Sequence, residues 1–520
     1  MPETPITESA TEMGTRPGRR AMSSIIWSYA NWASTILSPL VMVPLYVRFL
    51  GAKTYGQWLV ILSVSSYLGL ANLGLGQTIS NRIAEAGASR GESEVSRLLA
   101  TAFVSYATLA VVLLAALAVL TPLFAGPLNL GGSPGLLVAF GVYVALNLAS
   151  FPLRIFPMLL RGFQRVDLEQ RIGVTANVAR IAALAVALAV GLKLLSVAII
   201  NGATMIASCV AAFLWTRGLG PQARLRVSNF SNGMLREMIR PSIAFLGIQA
   251  SSVLIMGTDN LVIGYAIGSG AVTRYAVPFR LTYMATSLFG VALGALVPTI
   301  TAAYARGAHD ELRRWLLLSM RLALLYATAG AIALWIAGPS FIRLWAGPAV
   351  FPGMATFGLQ ICQFWSMVWV ASASALLWST TRHYFWSAFS VLEGVLNLLL
   401  SLFAVWRWGL AGVIGATITA SILTEFWYLP GAAFKLLQIP LRQVLRELGP
   451  ALLLSFGTLI VVLLFGLGFD AGVPLTRCIG RTALIEAPFI AAFALIGLTR
   501  ADRAIILGRL GRPPAQPDAA

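Results

Sequence analysis

Four charged side chains lie in stretches of this sequence that are otherwise apolar. Arg180 belongs to VTANVARIAALAV and Glu393 to SVLEGVLNLL. Asp259 and Arg280 belong to GTDNLVIGYAIGSGAVTRYAVPFR, residues 257–280. An ionised side chain in hydrocarbon costs at least about 2.5 kcal/mol, so such residues are expected to face a cavity or a partner. These four residues are therefore the first candidates for chemistry in the chain.

Arg180 has the chemistry expected of a phosphate ligand. It lies about eight residues, or roughly 12 Å, inside the predicted fifth helix, which is deep for snorkelling to the membrane surface. A guanidinium group stays charged when buried and can bind two phosphate oxygens at once. We expect Arg180 to bind a substrate phosphate in a cavity. The alternative is a structural salt bridge or a hydrogen-bonded contact between helices.

An internal repeat relates Arg180 to Glu393. GATMIAS at 202–208 recurs as GATITAS at 415–421, an offset of 213 residues, and the same offset aligns Arg180 with Glu393. Opposite charges thus occupy equivalent positions in two halves of the chain. Glu393 is predicted to pair with Arg180, or to take up a coupling proton when the site is empty. A purely structural role is the alternative.

Asp259 and Arg280 lie on either side of the turn GSGAVTR. The predicted seventh and eighth helices form a hairpin there, so we expect the two side chains to pair and close an outer gate, from which Arg280 could switch to phosphate. A permanent bond within the hairpin, or snorkelling of Arg280, is the alternative. Arg48 and Arg154, near helix ends, are further candidates for the substrate cavity, against simple interfacial anchoring.

Asparagines in the predicted helices form a second group of polar candidates. They could line a cavity that binds sugars, and hydrogen bonding between helices would explain them equally well. These residues are Asn72, Asn81, Asn147, Asn177, Asn201 and Asn397.

The elements that position these residues are predicted to be membrane-spanning helices. Of the 520 residues, 58% are hydrophobic and 11% charged, whereas an average soluble domain is about 25% charged. Apolar stretches of about 20 residues, the length that spans a bilayer, recur along the chain. None shows the alternation of an outer-membrane barrel strand. We predict an all-α polytopic membrane protein with about fourteen transmembrane helices.

The net charge of +18 is explained by membrane topology rather than by nucleic-acid binding. If the N-terminus lies inside, 27 of the 37 Lys and Arg residues fall in inner segments and 9 at outer ends. This split follows the positive-inside rule and predicts that both termini are cytoplasmic. The three cysteines fall in apolar segments and the two histidines are isolated, so neither a disulfide framework nor a metal site is predicted.

Sequence motifs of enzymes are missing from the chain. It has no phosphate-binding loop ending in GKS or GKT, no HExxH motif and no recognisable Ser, His and Asp set. No predicted outer loop exceeds about 15 residues, which leaves no room for an outer catalytic domain. We therefore expect a protein that is not an enzyme and needs no cofactor.

The repeat also predicts how the chain is organised. Each copy follows a short predicted outer turn, GLKLLS at 191–196 and VWRWGL at 405–410. Six predicted helices separate the copies, so both halves enter the membrane in the same direction, as parallel repeats. The predicted divisions are a cytoplasmic tail at 1–21, a six-helix lobe at 22–220, a linker at 221–240, a second six-helix lobe at 241–434, two additional helices at 435–500 and a cytoplasmic tail at 501–520.

Three stretches of the chain resemble polysaccharide flippases. They are YGQWLVILSVSSYLGLANLGLGQTISNRIAE, then TDNLVIG followed by IGSGAVTRYAVPFRL, and LEGVLNLLLSLFAVWRWGLAGVIGATI. This family contains the O-antigen and exopolysaccharide exporters of the multidrug, oligosaccharidyl-lipid and polysaccharide exporter superfamily. The resemblance implies two six-helix lobes around a cavity, with cationic residues that hold a diphosphate.

The resemblance also implies a function in cell-surface polysaccharide biosynthesis. A polyprenyl-diphosphate-linked oligosaccharide would cross the bacterial inner membrane by alternating access. Membrane lipid, glycosyltransferases and a polysaccharide polymerase would be the partners, with no nucleic acid involved.

Three other functions are the alternatives to a flippase, and the sequence argues against the first two. A multidrug antiporter of the same superfamily would favour acids in its cavity, whereas this chain has at least as many intramembrane bases as acids. A glycan polymerase or ligase would usually need a large outer loop. A membrane scaffold without transport activity is the third alternative, because no single residue proves turnover.

Overall fold

The structure, a computed structural model, describes residues 17–70, 75–89, 92–125, 134–219, 225–379, 383–466 and 474–506. Within these ranges the chain is helical and contains no β-strand, which confirms the all-α prediction. Much of the two predicted tails and the start of the predicted linker, namely residues 1–16, 221–224 and 507–520, lie outside the described residues.

The chain forms two compact units, and the first comprises Met1–Gln249. Short 3-10 turns at Pro152–Arg154, Arg217–Leu219 and Val227–Asn229 connect some of its helices. The helices that begin in this unit are α1 (Pro17–Leu70), α2 (Leu75–Ser89), α3 (Glu92–Ala125), α4 (Pro134–Ser150), α5 (Ile155–Gly162), α6 (Val166–Ala189), α7 (Leu194–Thr216) and α8 (Asn232–Ala266).

The second unit comprises Ala250–Ala520 and begins within α8. A π-helical turn at Phe493–Gly497 lies near its end. The remaining helices are α9 (Ser269–Gly294), α10 (Val297–Ala305), α11 (His309–Ala346), α12 (Met354–Ser379), α13 (His383–Leu423), α14 (Glu425–Leu436), α15 (Leu441–Leu464), α16 (Leu475–Ala492) and α17 (Arg500–Ile506).

Many of these helices have the length and composition of membrane spans. Within the described residues, 10 are long and apolar enough to cross a membrane, or up to 11 if the bent pair Gly135–Ser150 and Pro152–Gly162 counts as one span. Two of the ten, Met22–Leu70 and Ala388–Leu436, are each 49 residues long, and both are interrupted by non-helical backbone. The total of fourteen spans stays a prediction.

Glycines make the sharp breaks inside the two long helices. Gly51 interrupts α1 with φ 79° and ψ 159°, and Gly409 interrupts α13 with φ 57° and ψ −135°. Residues with a Cβ atom rarely adopt positive φ, so glycine is the residue that allows the chain to turn there. Each long helix therefore consists of two helical arms joined at a glycine.

In the first unit, α6 is the helix on which the candidate site depends. It packs against α1 and α7, and α7 in turn packs against α4. The approach of α7 to α4 is close at Gly202, where an added Cβ would lie 2.5 Å from Cβ of Leu146. This glycine belongs to the first copy of the repeated GAT motif, so the motif has a packing function in this half.

The second unit contains a buried cluster of charges that joins its last helices. Arg321 of α11 is 3% exposed and donates to Asp502 of α17 at 2.6 Å and to the Glu447 carboxylate of α15. Its Nε also donates to the Glu447 carbonyl oxygen at 3.2 Å. Asp502 accepts a hydrogen bond from the Thr499 backbone N–H at 2.9 Å, at the start of α17. One guanidinium therefore bonds three helices together.

Candidate functional site

Arg180 forms the centre of a polar cluster in the first unit. It donates to Asn177 Oδ1 at 2.5 Å, Asn201 Oδ1 at 3.2 Å and Ser38 Oγ at 3.2 Å. Asn177 lies three residues earlier on α6, which is the spacing that puts two side chains on one helix face. All three acceptors are neutral, and within the described residues Arg180 forms no ion pair. Its positive charge therefore has no counter-ion among the described residues.

The partners of Arg180 are themselves fixed by hydrogen bonds. Asn177 Nδ2 donates to Ser34 Oγ at 3.1 Å, and Asn201 Nδ2 donates to the Val197 carbonyl oxygen at 2.8 Å. Because each amide uses its N–H groups elsewhere, its oxygen remains directed at the guanidinium. The cluster thus holds Arg180 in a defined orientation between α1, α6 and α7.

Arg154 forms a second cluster of the same kind. It lies on the 3-10 turn between α4 and α5, where the helix axis bends by 42°. Its guanidinium donates to Asn147 Oδ1 at 2.9 Å, Ser150 Oγ at 3.3 Å and Met205 Sδ at 3.4 Å. The guanidinium also lies 4.3 Å from the centre of the Phe151 ring. Arg154, like Arg180, is half-buried, and its partners among the described residues are neutral.

Asp259 is the buried acid of the second unit. It is 1% exposed and accepts hydrogen bonds from Tyr275 Oη at 2.5 Å, Asn397 Nδ2 at 3.1 Å and Thr417 Oγ1 at 3.3 Å. Thr417 also lies 2.9 Å from Asn397 Oδ1. A carboxylate with amide and hydroxyl oxygens nearby can take up a proton or bind a hard cation, which prefers oxygen ligands.

The pair predicted between Asp259 and Arg280 is not formed. Asp259 bonds to α9 through Tyr275, and Arg280 follows five residues later, which places it about 140° around the helix. Within the described residues, Arg280 has neither a hydrogen bond nor an ion pair with the protein. The prediction of pairing was wrong because it considered only that the two residues lie at a similar depth in the membrane. It did not consider which face of the helix carries each side chain.

Glu393 is held at the start of α14. It is 6% exposed and accepts from Thr424 Oγ1 at 2.9 Å, and it also interacts with the Glu425 backbone and the Ser421 side chain. A helix N-terminus favours a negative charge. The neighbouring Glu425 carboxylate accepts a hydrogen bond from Ser390. Two carboxylates therefore meet at one helix end, while the pairing of Glu393 with Arg180 stays a prediction.

Arg48 differs from the other candidates in its surroundings. It is exposed, and its only described contact is with the Phe49 ring, at 5.8 Å. This geometry is compatible with interfacial anchoring, the alternative given above. As for metals, no group of three or more His, Cys, Asp or Glu side chains that could hold an ion occurs in the part of the chain that the structure describes.

Several site residues were not predicted from the sequence. Ser38, Tyr275 and Thr417 bond directly to the charged groups, but hydroxyl residues are common in this chain and none stands out by type. Thr417 carried one signal, because it belongs to the repeated GATITAS motif. Of the asparagines singled out, Asn147, Asn177, Asn201 and Asn397 all hydrogen-bond a charged side chain.

Comparison with known proteins gives a family and a fold. Residues 22–303 match the model of a family described as "Polysaccharide biosynthesis protein". Among solved structures, the lipid II flippase MurJ in an inward closed conformation aligns with a TM-score of 0.68 and 14% identity, over 94% of this chain and 100% of that chain. These values establish the likeness of fold.

Two further structures align over most of their length. An inward-facing multidrug resistance MATE family transporter of the MOP superfamily has a TM-score of 0.65 and 16% identity, over 80% of this chain and 99% of that chain. A MOP superfamily transporter from Pyrococcus furiosus, described as having a binding pocket of reverse polarity, has a TM-score of 0.57 and 15% identity, over 84% of this chain and 100% of that chain. The fold is therefore that of MOP superfamily transporters.

Proposed function

Because the chain belongs to the polysaccharide biosynthesis protein family, we propose that it is a flippase for a polyprenyl-diphosphate-linked oligosaccharide. It moves this lipid across the bacterial inner membrane by alternating access, as a step in the synthesis of cell-surface polysaccharide. The observation that carries the proposal is the pair of guanidinium groups, Arg180 and Arg154, that the first unit holds with neutral partners.

Neutral partners suit these arginines to a substrate that brings its own negative charge. A guanidinium bonded to carboxylates would first have to exchange them for phosphate. Amide, hydroxyl and thioether acceptors hold the side chain in place and leave its charge available. Arginine then binds a phosphate through two parallel N–H···O bonds, which are roughly twice as strong as bonds between neutral groups. Arg180 and Arg154 are the proposed phosphate ligands, and Arg280 and Arg48 join them at other stages of transport.

The acids of the second unit are proposed to couple transport to an ion gradient. Asp259 is buried among neutral donors, so its carboxyl group either holds a proton or, when ionised, needs a cation to offset its charge. Glu393 faces a second carboxylate at the start of α14, and like charges held so close favour retention of one proton between them. Uptake and release of an ion at these groups would bias the two access states.

Complementation of a deletion strain tests the proposal. Arg180→Ala should abolish surface polysaccharide and cause lipid-linked glycan to accumulate on the inner leaflet, whereas Arg180→Lys should restore part of the export because a point charge remains. Arg217→Ala is the matched control, because Arg217 is an exposed arginine of the same unit and stacks only on Phe213. Normal export by Arg180→Ala, at wild-type protein levels in the membrane, would overturn the assignment.

A cation antiporter is the second candidate function. It is favoured by the buried acids Asp259 and Glu393 and by the MATE-like fold, since a cationic substrate would need acids in its binding site. Drug susceptibility separates the two functions. A flippase deletion should lose surface polysaccharide without becoming more sensitive to cationic drugs, whereas an antiporter deletion should show the reverse.

A further inference from the structure

A groove of about 680 Å³ runs between α6 and α7 of the first unit. Six of its thirteen lining residues are alanines, whose small side chains leave space between the two helices. The lining includes Ala176, Ala179, Ala183, Ala203, Ala207 and Ala211. Thr204 and Ser208 also line this α6–α7 groove, but their hydroxyls donate to backbone carbonyls of their own helix. Apart from Thr175 and Arg171, the groove therefore presents apolar groups to a ligand.

Exposed apolar side chains lie three residues beyond a lining alanine on each helix, a spacing that puts them on the same helix face. Val186 of α6 is 64% exposed, and Leu214 of α7 is 56% exposed. In a membrane protein, such surfaces suit contact with hydrocarbon. The groove thus combines a depression of about 680 Å³ with exposed apolar side chains nearby, which suits contact with lipid.

One end of the groove is basic and aromatic. Arg171 lines this end together with Trp215, and the Arg171 guanidinium lies 5.1 Å from the centre of the Trp27 ring. Its described hydrogen bond is a long one, 3.3 Å, to Ser23 Oγ, and within the described residues no carboxylate pairs with it. Tryptophan and arginine together are typical of the headgroup level of a bilayer. A phosphate at this end would find an uncompensated positive charge.

The length of the groove matches one leaflet. From Arg171 to Ala183 the α6 side runs twelve residues, or roughly 18 Å, which is close to half of the ~30 Å hydrocarbon core. We propose that the α6–α7 groove binds an anionic glycerophospholipid, with one acyl chain along the alanines and its phosphate at Arg171. A long polyprenyl chain would extend well beyond the groove, so the observations favour a phospholipid. This inference does not depend on the proposed flippase function.

Native mass spectrometry of the full-length protein tests the proposal. The protein is titrated with phosphatidylglycerol or with phosphatidylcholine of the same acyl chains. Arg171→Gln should weaken phosphatidylglycerol binding about fivefold, the effect of one basic residue near an anionic headgroup, and leave phosphatidylcholine unchanged. Ala207→Phe, which fills the groove, should weaken binding of both lipids. Arg217→Gln, at the same end of α7 but outside the groove lining, should change neither.

Three results would overturn the proposal. Equal losses for Arg171→Gln and Arg217→Gln would indicate general surface charge and no site. Unchanged binding in Ala207→Phe, or in Ala179→Leu if the first variant does not fold, would exclude the groove. Tighter binding of a polyprenyl phosphate than of phosphatidylglycerol, with displacement of the latter, would assign the groove to another lipid. The export assay of Arg180→Ala does not affect these three lipid-binding measurements. The flippase proposal and the lipid-site proposal can therefore be refuted independently.

Discussion

At the scale of single residues, each unit holds one charged side chain among neutral partners. Arg180 in the first unit and Asp259 in the second are both surrounded by amide and hydroxyl groups. Such groups satisfy hydrogen bonds but do not neutralise a full charge, so each site remains selective for a ligand of opposite sign. Under the proposed function, the first unit would bind the anionic substrate and the second a proton or cation. This difference would be the chemical basis for coupling transport of the substrate to an ion.

Asp259→Asn should abolish export while leaving the fold intact. The amide keeps the size of the side chain and can still accept from Tyr275, but it has no charge with which to hold a proton or cation. The measurement is surface polysaccharide in the complemented deletion strain, with protein levels and elution profile as checks on folding. Thr417→Val is the control, because it removes one hydroxyl and retains the carboxylate, and it should reduce export only in part. Full export by Asp259→Asn would limit Asp259 to a structural function.

The sequence identified the charged residues of the site and several of its asparagines, but not which side chains pair with which. Arg180, Asp259 and Glu393 could be predicted because a charge in an apolar stretch needs an explanation. Their partners could not, because Asn397 and Thr417 lie 138 and 158 residues from Asp259 along the chain. Only folding brings such positions together, and hydropathy contains no information on helix rotation. The incorrect pairing of Asp259 with Arg280 has the same cause.

At the scale of elements, the breaks at Gly51 and Gly409 decide where long helices become two arms. The sequence predicted a short turn near Gly409, because VWRWGL interrupts an apolar stretch. It could not show that the helix would continue almost to the glycine on both sides of the break. Helices were therefore easier to predict than the breaks between them.

Gly409→Ala should destabilise the protein by about 1–3 kcal/mol, the usual cost of a strained backbone conformation in a residue with a Cβ atom. The space around Gly409 is open, so the effect comes from the backbone alone. Gly415→Ala is the matched control, because Gly415 is helical and also has open space, and it should be neutral or slightly stabilising. Thermal unfolding in detergent measures both. Equal midpoints for the two variants would contradict the backbone argument.

Arg321→Gln should lower the stability of the protein more than Gly409→Ala does, because it leaves Asp502 and Glu447 without their counter-ion. Breaking a buried ion pair from one side typically costs about 3–5 kcal/mol, so we expect a large fall in the unfolding midpoint and increased proteolysis near α17. Arg306→Gln is the control, since its pair with Glu311 is exposed and worth at most about 1 kcal/mol.

The charge cluster also allows a test by compensation. A triple variant, Arg321→Met with Glu447→Gln and Asp502→Asn, should recover much of the lost stability, because it removes the uncompensated charges. If the triple variant is no more stable than Arg321→Gln, loss of packing rather than of charge explains the effect.

At the scale of the whole molecule, the repeat and the distribution of Lys and Arg together predict how the chain is oriented in the membrane. Lys193 and Arg407 lie in the two short turns that precede the GAT motifs, and both are exposed. If the halves are parallel repeats, these two residues lie on the same side of the membrane. The positive-inside rule places that side outside and Asp310, at the start of α11, inside.

Cysteine labelling tests this orientation in the full-length chain. In a background without the three native cysteines, Lys193→Cys and Arg407→Cys should react with a membrane-impermeant maleimide in spheroplasts. Asp310→Cys, whose native side chain is 88% exposed, should react only after permeabilisation. Labelling of Lys193→Cys and Arg407→Cys from opposite sides would refute the parallel repeat, because an even number of spans could not separate them. If only Asp310→Cys reacted in spheroplasts, the parallel repeat would stand but the topology would be inverted. The positive-inside rule would then not explain the distribution of Lys and Arg.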